Sequence, residues 1–278
     1  NASSITSSND AFVFGAVTLG SNVTIDTNAT NTTGDITIGA VTGGSNTLTL
    51  STGNNIANSD ITASGTISGV TTLTLIDVGG TASFTADVDV TTLTIGNTVA
   101  NVSLTGSGSS VTNAVTFGND GTLTIGDASN DAFTFDGGLT VSTASSTLAG
   151  SIDSSNDDIT FGAITLATAT TLDTNASDNT ADIIIGAVTG NNNNLTLDTT
   201  TSTGSADHTF TGDINLGSGA LSVTGDVVLG ANVSVTATGG ITFNDAINAD
   251  NASSNDRTLT LSSGTGAAIS VVGTVGNS

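Results

Sequence analysis

Three kinds of side chain in this sequence can move a proton, hold a metal ion or pair with a charged substrate. They are 24 aspartates, a single histidine, His208, and a single arginine, Arg257. Two close carboxylates can act as general acid and base. Carboxylates beside Asn and backbone carbonyl oxygens also suit Ca2+, a hard cation that takes oxygen ligands. The aspartates are densest at Asp120, Asp127, Asp131 and Asp136, and again at Asp153, Asp157 and Asp158, with Asp87 and Asp89 on one strand face. Those first seven are the candidate Ca2+ ligands. The chain has neither an EF-hand phrase nor the Gly-Gly-x-Gly-x-Asp nonapeptide of calcium β-rolls. The expectation is therefore diffuse counter-ion binding, with specific Ca2+ sites as the alternative.

Neither cationic side chain has a partner set for catalysis. Arg257 lies in Asn255-Asp-Arg-Thr258 and reads as a solvated turn residue paired with a neighbouring Asp. His208 opens the phrase His-Thr-Phe-Thr and, without Cys or Glu nearby, reads as a surface residue. A polysaccharide lyase or hydrolase would need an Arg or Lys base or a built carboxylate pair. Most aspartates instead neighbour Gly, Asn or Ser, where a carboxylate bonds local backbone and shapes a turn. No enzyme is expected.

The elements that carry these residues follow from an unusually small alphabet. Cys, Met, Pro, Trp, Tyr, Lys, Glu and Gln are all missing, while Thr, Ser, Gly and Asn number 55, 34, 35 and 28. Without Cys there is no disulfide or thiolate site, and without Lys no P-loop or Schiff base. A net charge of −23 excludes a nucleic-acid partner, which needs a basic surface. Most strong helix formers are absent, so helices are not expected. No apolar run reaches the roughly 18 residues of a membrane span, and residues 1–10 lack the charged and apolar regions of a signal peptide.

Repeats set the architecture. Ser7–Thr52 aligns without gaps to Ser154–Thr199, with 28 identities in 46 positions at an offset of 147. Later phrases match at an offset of 126, as Phe84-Thr-Ala-Asp does with Phe210-Thr-Gly-Asp. The 21-residue difference is the size of one lost structural unit. Apolar-Thr-apolar phrases such as Ile36-Thr-Ile38, Leu48-Thr-Leu50 and Leu73-Thr-Leu75 carry the two-residue period of strands. Gly, Asn, Asp and Ser separate them. The reading is a single right-handed parallel β-helix over residues 1–278, of about 13 coils of about 21 residues, duplicated as 1–147 and 148–278. The nine Phe fall in its core. An antiparallel sandwich with hairpins at Asp120-Gly121 and Asp136-Gly137 is the rival.

Phrases such as Gly39-Ala-Val-Thr42, Thr47-Leu-Thr-Leu50 and Gly121-Thr-Leu-Thr-Ile-Gly126 resemble the repeats of filamentous-haemagglutinin-like bacterial exoproteins. The resemblance covers essentially the whole chain in composition and repeat style. It implies a β-helical adhesin or fibre shaft, secreted to a prokaryotic cell surface or matrix, with no catalytic motif to carry over. The chain starts without Met, and neither end reads as a cap: Ala268-Ile-Ser-Val-Val272 is another coil. The expectation is continuation in a longer chain or end-to-end self-association into a filament. Thr-x-Thr pairs (47/49, 72/74, 92/94, 122/124, 209/211, 258/260) admit an ice-binding face if they align in register. Nine Asn-x-Ser/Thr sequons, at Asn1, Asn22, Asn28, Asn31, Asn101, Asn175, Asn194, Asn232 and Asn251, are what chance supplies at this composition.

Overall fold

A computed structural model describes residues 2–30, 34–53, 56–142, 145–175, 181–199, 206–250 and 256–276. The chain is an all-β parallel β-solenoid of about 10 turns of about 23 residues. Among the described residues there is no helix. By its internal contacts it divides into two units. The first holds Asn1–Gly126, Asp131–Phe135 and Val141–Ser145; the second holds Asp127–Asn130, Asp136–Thr140 and Ser146–Ser278.

In the first unit each coil contributes three strand segments, each bonded in parallel to its equivalent one coil away. Along one face Phe12 pairs with Ile36, Ile36 with Ile61, Ile61 with Ala82, Val102 with Ala82 and Leu123 with Val102. Along another, Val23, Leu48, Leu73 and Leu93 stack in that order. The second unit repeats the plan: Ile159, Ile183, His208, Val227 and Ile247 form one column. Thr170, Leu195, Leu221, Ile241 and Ile269 form another.

Strand alternation fills the interior. Leu48, Leu50, Leu73 and Leu75 are fully buried while Thr47, Thr49, Thr72 and Thr74 between them face outward. Each buried Leu contributes about 1.5–3 kcal/mol relative to exposure. Seven of the nine Phe are almost wholly buried; Phe12 and Phe14, in the first coil, are half-buried and stack at 5.5 Å.

Two expectations are corrected. The coils number about 10, not 13, because they are not uniformly 21 residues long. Leu48 to Leu73 spans 25 residues, whereas Leu73 to Leu93 spans 20. The longer coils carry extra residues at corners and bulges, as where the pairing shifts between Thr42 and Asn46. The 21-residue step does equal one coil where it occurs: Ala63 pairs with Phe84. The hairpin rival fails, since every strand register in the described residues is parallel, the strands around Asp120-Gly121 included.

Leu73 sits between Leu48 and Leu93 with no exposed surface. Leu73→Ala should destabilise the first unit by about 2–5 kcal/mol in urea unfolding, while the adjacent Thr72→Ser should cost under about 1 kcal/mol. Equal effects would mean that the leucine stack is not what holds these coils.

Candidate functional site

Corners decide where the aspartates go. Between strand segments the backbone ladder is interrupted, and the first N–H of the next strand needs an acceptor. A side-chain oxygen one coil away supplies it. In the first unit Asp35 Oδ1 accepts from the N–H of Asp60 at 3.0 Å, Asp60 Oδ1 from Thr81 at 2.7 Å, and Asn101 Oδ1 from Thr122 at 2.9 Å. In the second, Asp158 Oδ1 accepts from Asp182, Asp182 Oδ1 from Asp207, and Asp226 Oδ1 from Ala246, all at 2.9 Å. Some bonds are local, as expected: Asp26 accepts from the N–H of Asn28 and Asp173 from that of Asn175. The commoner partner is backbone a whole coil away, which is a difference from the expected turn-shaping role.

Stacking also collects charge. Asp158, Asp182, Asp207 and Asp226 occupy one position on four successive coils of the second unit. Asp207, between Asp182 and Asp226, is pushed up to about 6 by burial and by both neighbours' charge. Burial likewise raises Asp182, against the hydrogen bond from Asp207 N–H. Asp153, Asp173 and Asp198 form a second column. Burial raises Asp153, partly offset by the 2.6 Å bond from the Ser151 hydroxyl and reinforced by Asp173.

Of the candidate Ca2+ ligands, Asp120 and Asp127 are exposed and Asp131 is buried. Asp136 accepts from the Ser155 hydroxyl at 2.9 Å. Asp157 and Asp158 are exposed neighbours, and Asp153 belongs to the second column. Among the described residues no three carboxylates or imidazoles are placed to hold a metal ion. The usable signal was Asp recurring at steps of 19 to 25 residues, as at 158, 182, 207 and 226.

In the first unit Asp89 lines a groove of about 300 Å3 with Ser45, Gly69, Thr71, Thr91 and Ser110. Its carboxyl is raised by burial and by Asp87, against a hydrogen bond from the Ser110 N–H. Arg257 forms a two-pronged pair with Asp250, Nη2 to Oδ2 at 2.6 Å and Nε to Oδ1 at 3.1 Å, rather than with the adjacent Asp256. That bond holds Asp250 below its ordinary value and Arg257 above.

His208 overturns its expectation: the side chain has no exposed surface. Alternation placed it inward with Phe210, two residues on, and that spacing was readable in the sequence. Nε2 lies 2.9 Å from the Thr224 carbonyl and 3.3 Å from the Thr199 hydroxyl. The carbonyl can only accept, so Nε2 carries the proton and Nδ1 is a lone pair without a hydrogen-bond partner. Burial pushes the imidazole down to about 4, against the Thr224 bond and the charges of Asp245 and Asp226.

Several sequons coincide with the corner caps. The amide oxygens of Asn22, Asn101, Asn194 and Asn232 each accept a backbone N–H one coil away. Asn28 and Asn175 adopt positive φ, and Asn1, Asn31 and Asn251 lie outside the described residues. Compared with protein-family models, curated proteins and solved structures, the chain matches none. Its class is therefore that of its fold, a parallel β-solenoid.

Asp207 gives a signed prediction. Its folded value lies above the unfolded one, so its stabilising contribution is full below about pH 4 and lost as pH rises through 6. Asp207→Asn should raise the melting temperature at pH 8, with the gain fading by pH 4.5. Equal melting of the two proteins at pH 8 would show that counter-ions already neutralise the column.

Proposed function

We propose that the chain is a non-enzymatic structural protein, the shaft or subunit of an extracellular or cell-surface filament of adhesin type, assembled by coil stacking. The observation that carries this reading is where its large apolar side chains meet solvent. Among the described residues these are Ile5 and Val13 in the first coil and Ile269, Val272 and Val275 in the last, with Val13 at 79% and Val272 at 71%. Strand Ser3–Thr6 pairs with Val23–Asp26 on one side, and Ile269–Val271 with Ile241–Phe243. Unpaired strand edges with apolar neighbours invite a further coil. That coil would belong to a second copy, or to the same chain continued.

The remaining side chains support the non-catalytic part. His208 is spent inside the fold, Arg257 on Asp250, and many aspartates on backbone N–H groups. The resemblance to filamentous-haemagglutinin-like repeats points the same way, including secretion from a prokaryote, and rests on repeat style alone. No described helix is long and apolar enough to cross a membrane.

Size-exclusion chromatography with light scattering, followed by electron microscopy, tests the stacking. The protein should associate end to end as concentration rises, and Val272→Lys with Val275→Lys should shift it at least tenfold toward single copies. Monodisperse particles with no dependence on concentration, in the unsubstituted protein, would sink self-association.

A second reading has one specific observation in its favour. Thr47/Thr49, Thr72/Thr74 and Thr92/Thr94 stand in register on three successive coils of the first unit. Such a two-column array is the geometry that an ice-binding face would require. Thermal hysteresis lost on Thr74→Lys would support it; no hysteresis in the unsubstituted protein would remove it.

A further inference from the structure

His208 occupies a slot that its neighbouring coils fill with aliphatic side chains: Ile159, Ile183, Val227 and Ile247 share its column. The duplication names the residue it stands in for. Ile36 and Ile183 are matched positions of the gapless repeat, and each pairs with the residue 25 further on, Ile61 in the first unit and His208 in the second. Ile61 is fully buried, so the fold has no need of an imidazole there.

The second unit is nevertheless built to take one. Gly225 has φ +119°, and a Cβ there would stand 3.0 Å from His208 Nε2 and 2.0 Å from the Thr199 hydroxyl. In the first unit the corresponding hydroxyl, Thr52 Oγ1, donates directly to the Asp77 carbonyl at 2.9 Å. In the second, the imidazole stands between the Thr199 hydroxyl and the Thr224 carbonyl and tethers two successive coils.

We propose that His208 is an acid-operated latch, holding strands Asp207–Phe210 and Asp226–Leu229 closed while neutral and releasing them when protonated. Protonation puts a second N–H on Nδ1, which has no acceptor and lies in an aliphatic column. The ionisable groups around it are Asp207 on its own strand, Asp182 before the preceding strand, Asp226 at the start of the following one, and Asp245. Asp182 and Asp226 each accept a backbone N–H at the corner, and Asp245 Oδ2 accepts that of Gly225 at 2.9 Å. Their attraction does not offset the loss of hydration, and opening the coil is the way for the cation to reach water. Asp207 takes up its proton in the same range, which relieves the carboxylate column and cannot cause opening.

The sign follows from the depressed value. The contribution of neutral His208 is complete above about pH 6.5 and is lost as pH falls toward 4, shifting the open-to-closed ratio on the order of a hundredfold. As the chain's only histidine, it gives an unambiguous imidazole signal by NMR. The expected result is an Nε2–H tautomer at neutral pH with a titration midpoint at least a unit below 6.5. Amide exchange in strands Asp207–Phe210 and Asp226–Leu229, corrected for intrinsic rate and measured in Asp207→Asn so that the opposing carboxylate is removed, should rise at least about tenfold between pH 7 and 4.5. Strands Ile61–Ala63 and Thr81–Phe84 of the first unit are the internal control and should not change. His208→Gln, which keeps a donor for Thr224 and cannot titrate, and His208→Ile, the first unit's own residue, should each abolish the rise. A midpoint near 6.5, an equal rise in either variant, or an equal rise in the first unit overturns the proposal. Should both variants fail to fold, the comparison between units in the Asp207→Asn protein, where no opposing carboxylate titrates, still decides it.

Discussion

The parallel hydrogen-bond ladder between successive coils is the constraint on which the structure depends. Along its strands a β-coil cannot satisfy its own backbone, so the strand N–H and C=O groups must find their partners in the coil before or after it. Along the straight segments the backbone does this unaided, as in Val23, Leu48, Leu73 and Leu93. At the corners the ladder lapses, and the short, acceptor-bearing side chains of Asp and Asn stand in for the missing carbonyl, as Asp35 does for Asp60 and Asp182 for Asp207. That requirement bears on the alphabet, in the abundance of Asp and Asn and in the absence of proline. Proline has no N–H to give to the ladder, and the chain contains none.

A second consequence is that whatever occupies a position on one coil meets its equivalent about 4.8 Å away on the next. For an aliphatic side chain this is cohesive. For a carboxylate it is repulsive, by roughly 1 kcal/mol per adjacent pair in water-like surroundings and more where burial lowers the effective dielectric. The two units resolve the conflict differently. In the first, the column begun by Asp35 and Asp60 continues with Thr81, Asn101 and Thr122, so two charges are followed by neutral residues. In the second, four aspartates follow one another, and the displacement of Asp207 to about 6 is the cost of that choice.

Much of this was legible in the sequence. The apolar-Thr-apolar phrases carry the strand period, and 28 identities in 46 positions are hard to reconcile with anything but a duplicated winding chain. Coil number was not legible, since corners absorb five or so residues with little trace in the strand pattern: Leu73 lies 25 residues from Leu48 and 20 from Leu93. The stacking of carboxylates was not legible from clusters along the sequence, for a geometric reason. In a solenoid, neighbours in space are one coil apart, so Asp153 meets Asp173 rather than Asp157. His208 was misread because its polarity outweighed its register, although Phe210 two residues later fixed which face it takes.

The duplication makes that coil the most informative in the molecule. Both units answer to the same ladder, so any position where they differ in chemistry but not in register was free to vary without loss of fold. Asp207 and His208 are consecutive, one outward and one inward, and protonation acts on them in opposite senses: it relieves the carboxylate column and strains the imidazole slot. Across roughly pH 4 to 6.5 the folded coil gains a proton at Asp207 that the unfolded chain lacks, while the unfolded chain gains one at His208 that the folded coil lacks. The two proton counts oppose each other, so a coil with displaced groups can show little net change in stability with pH. A flat profile would then conceal two opposed terms, and only separating the residues, or comparing the coil with its counterpart around Asp60 and Ile61, distinguishes balance from indifference.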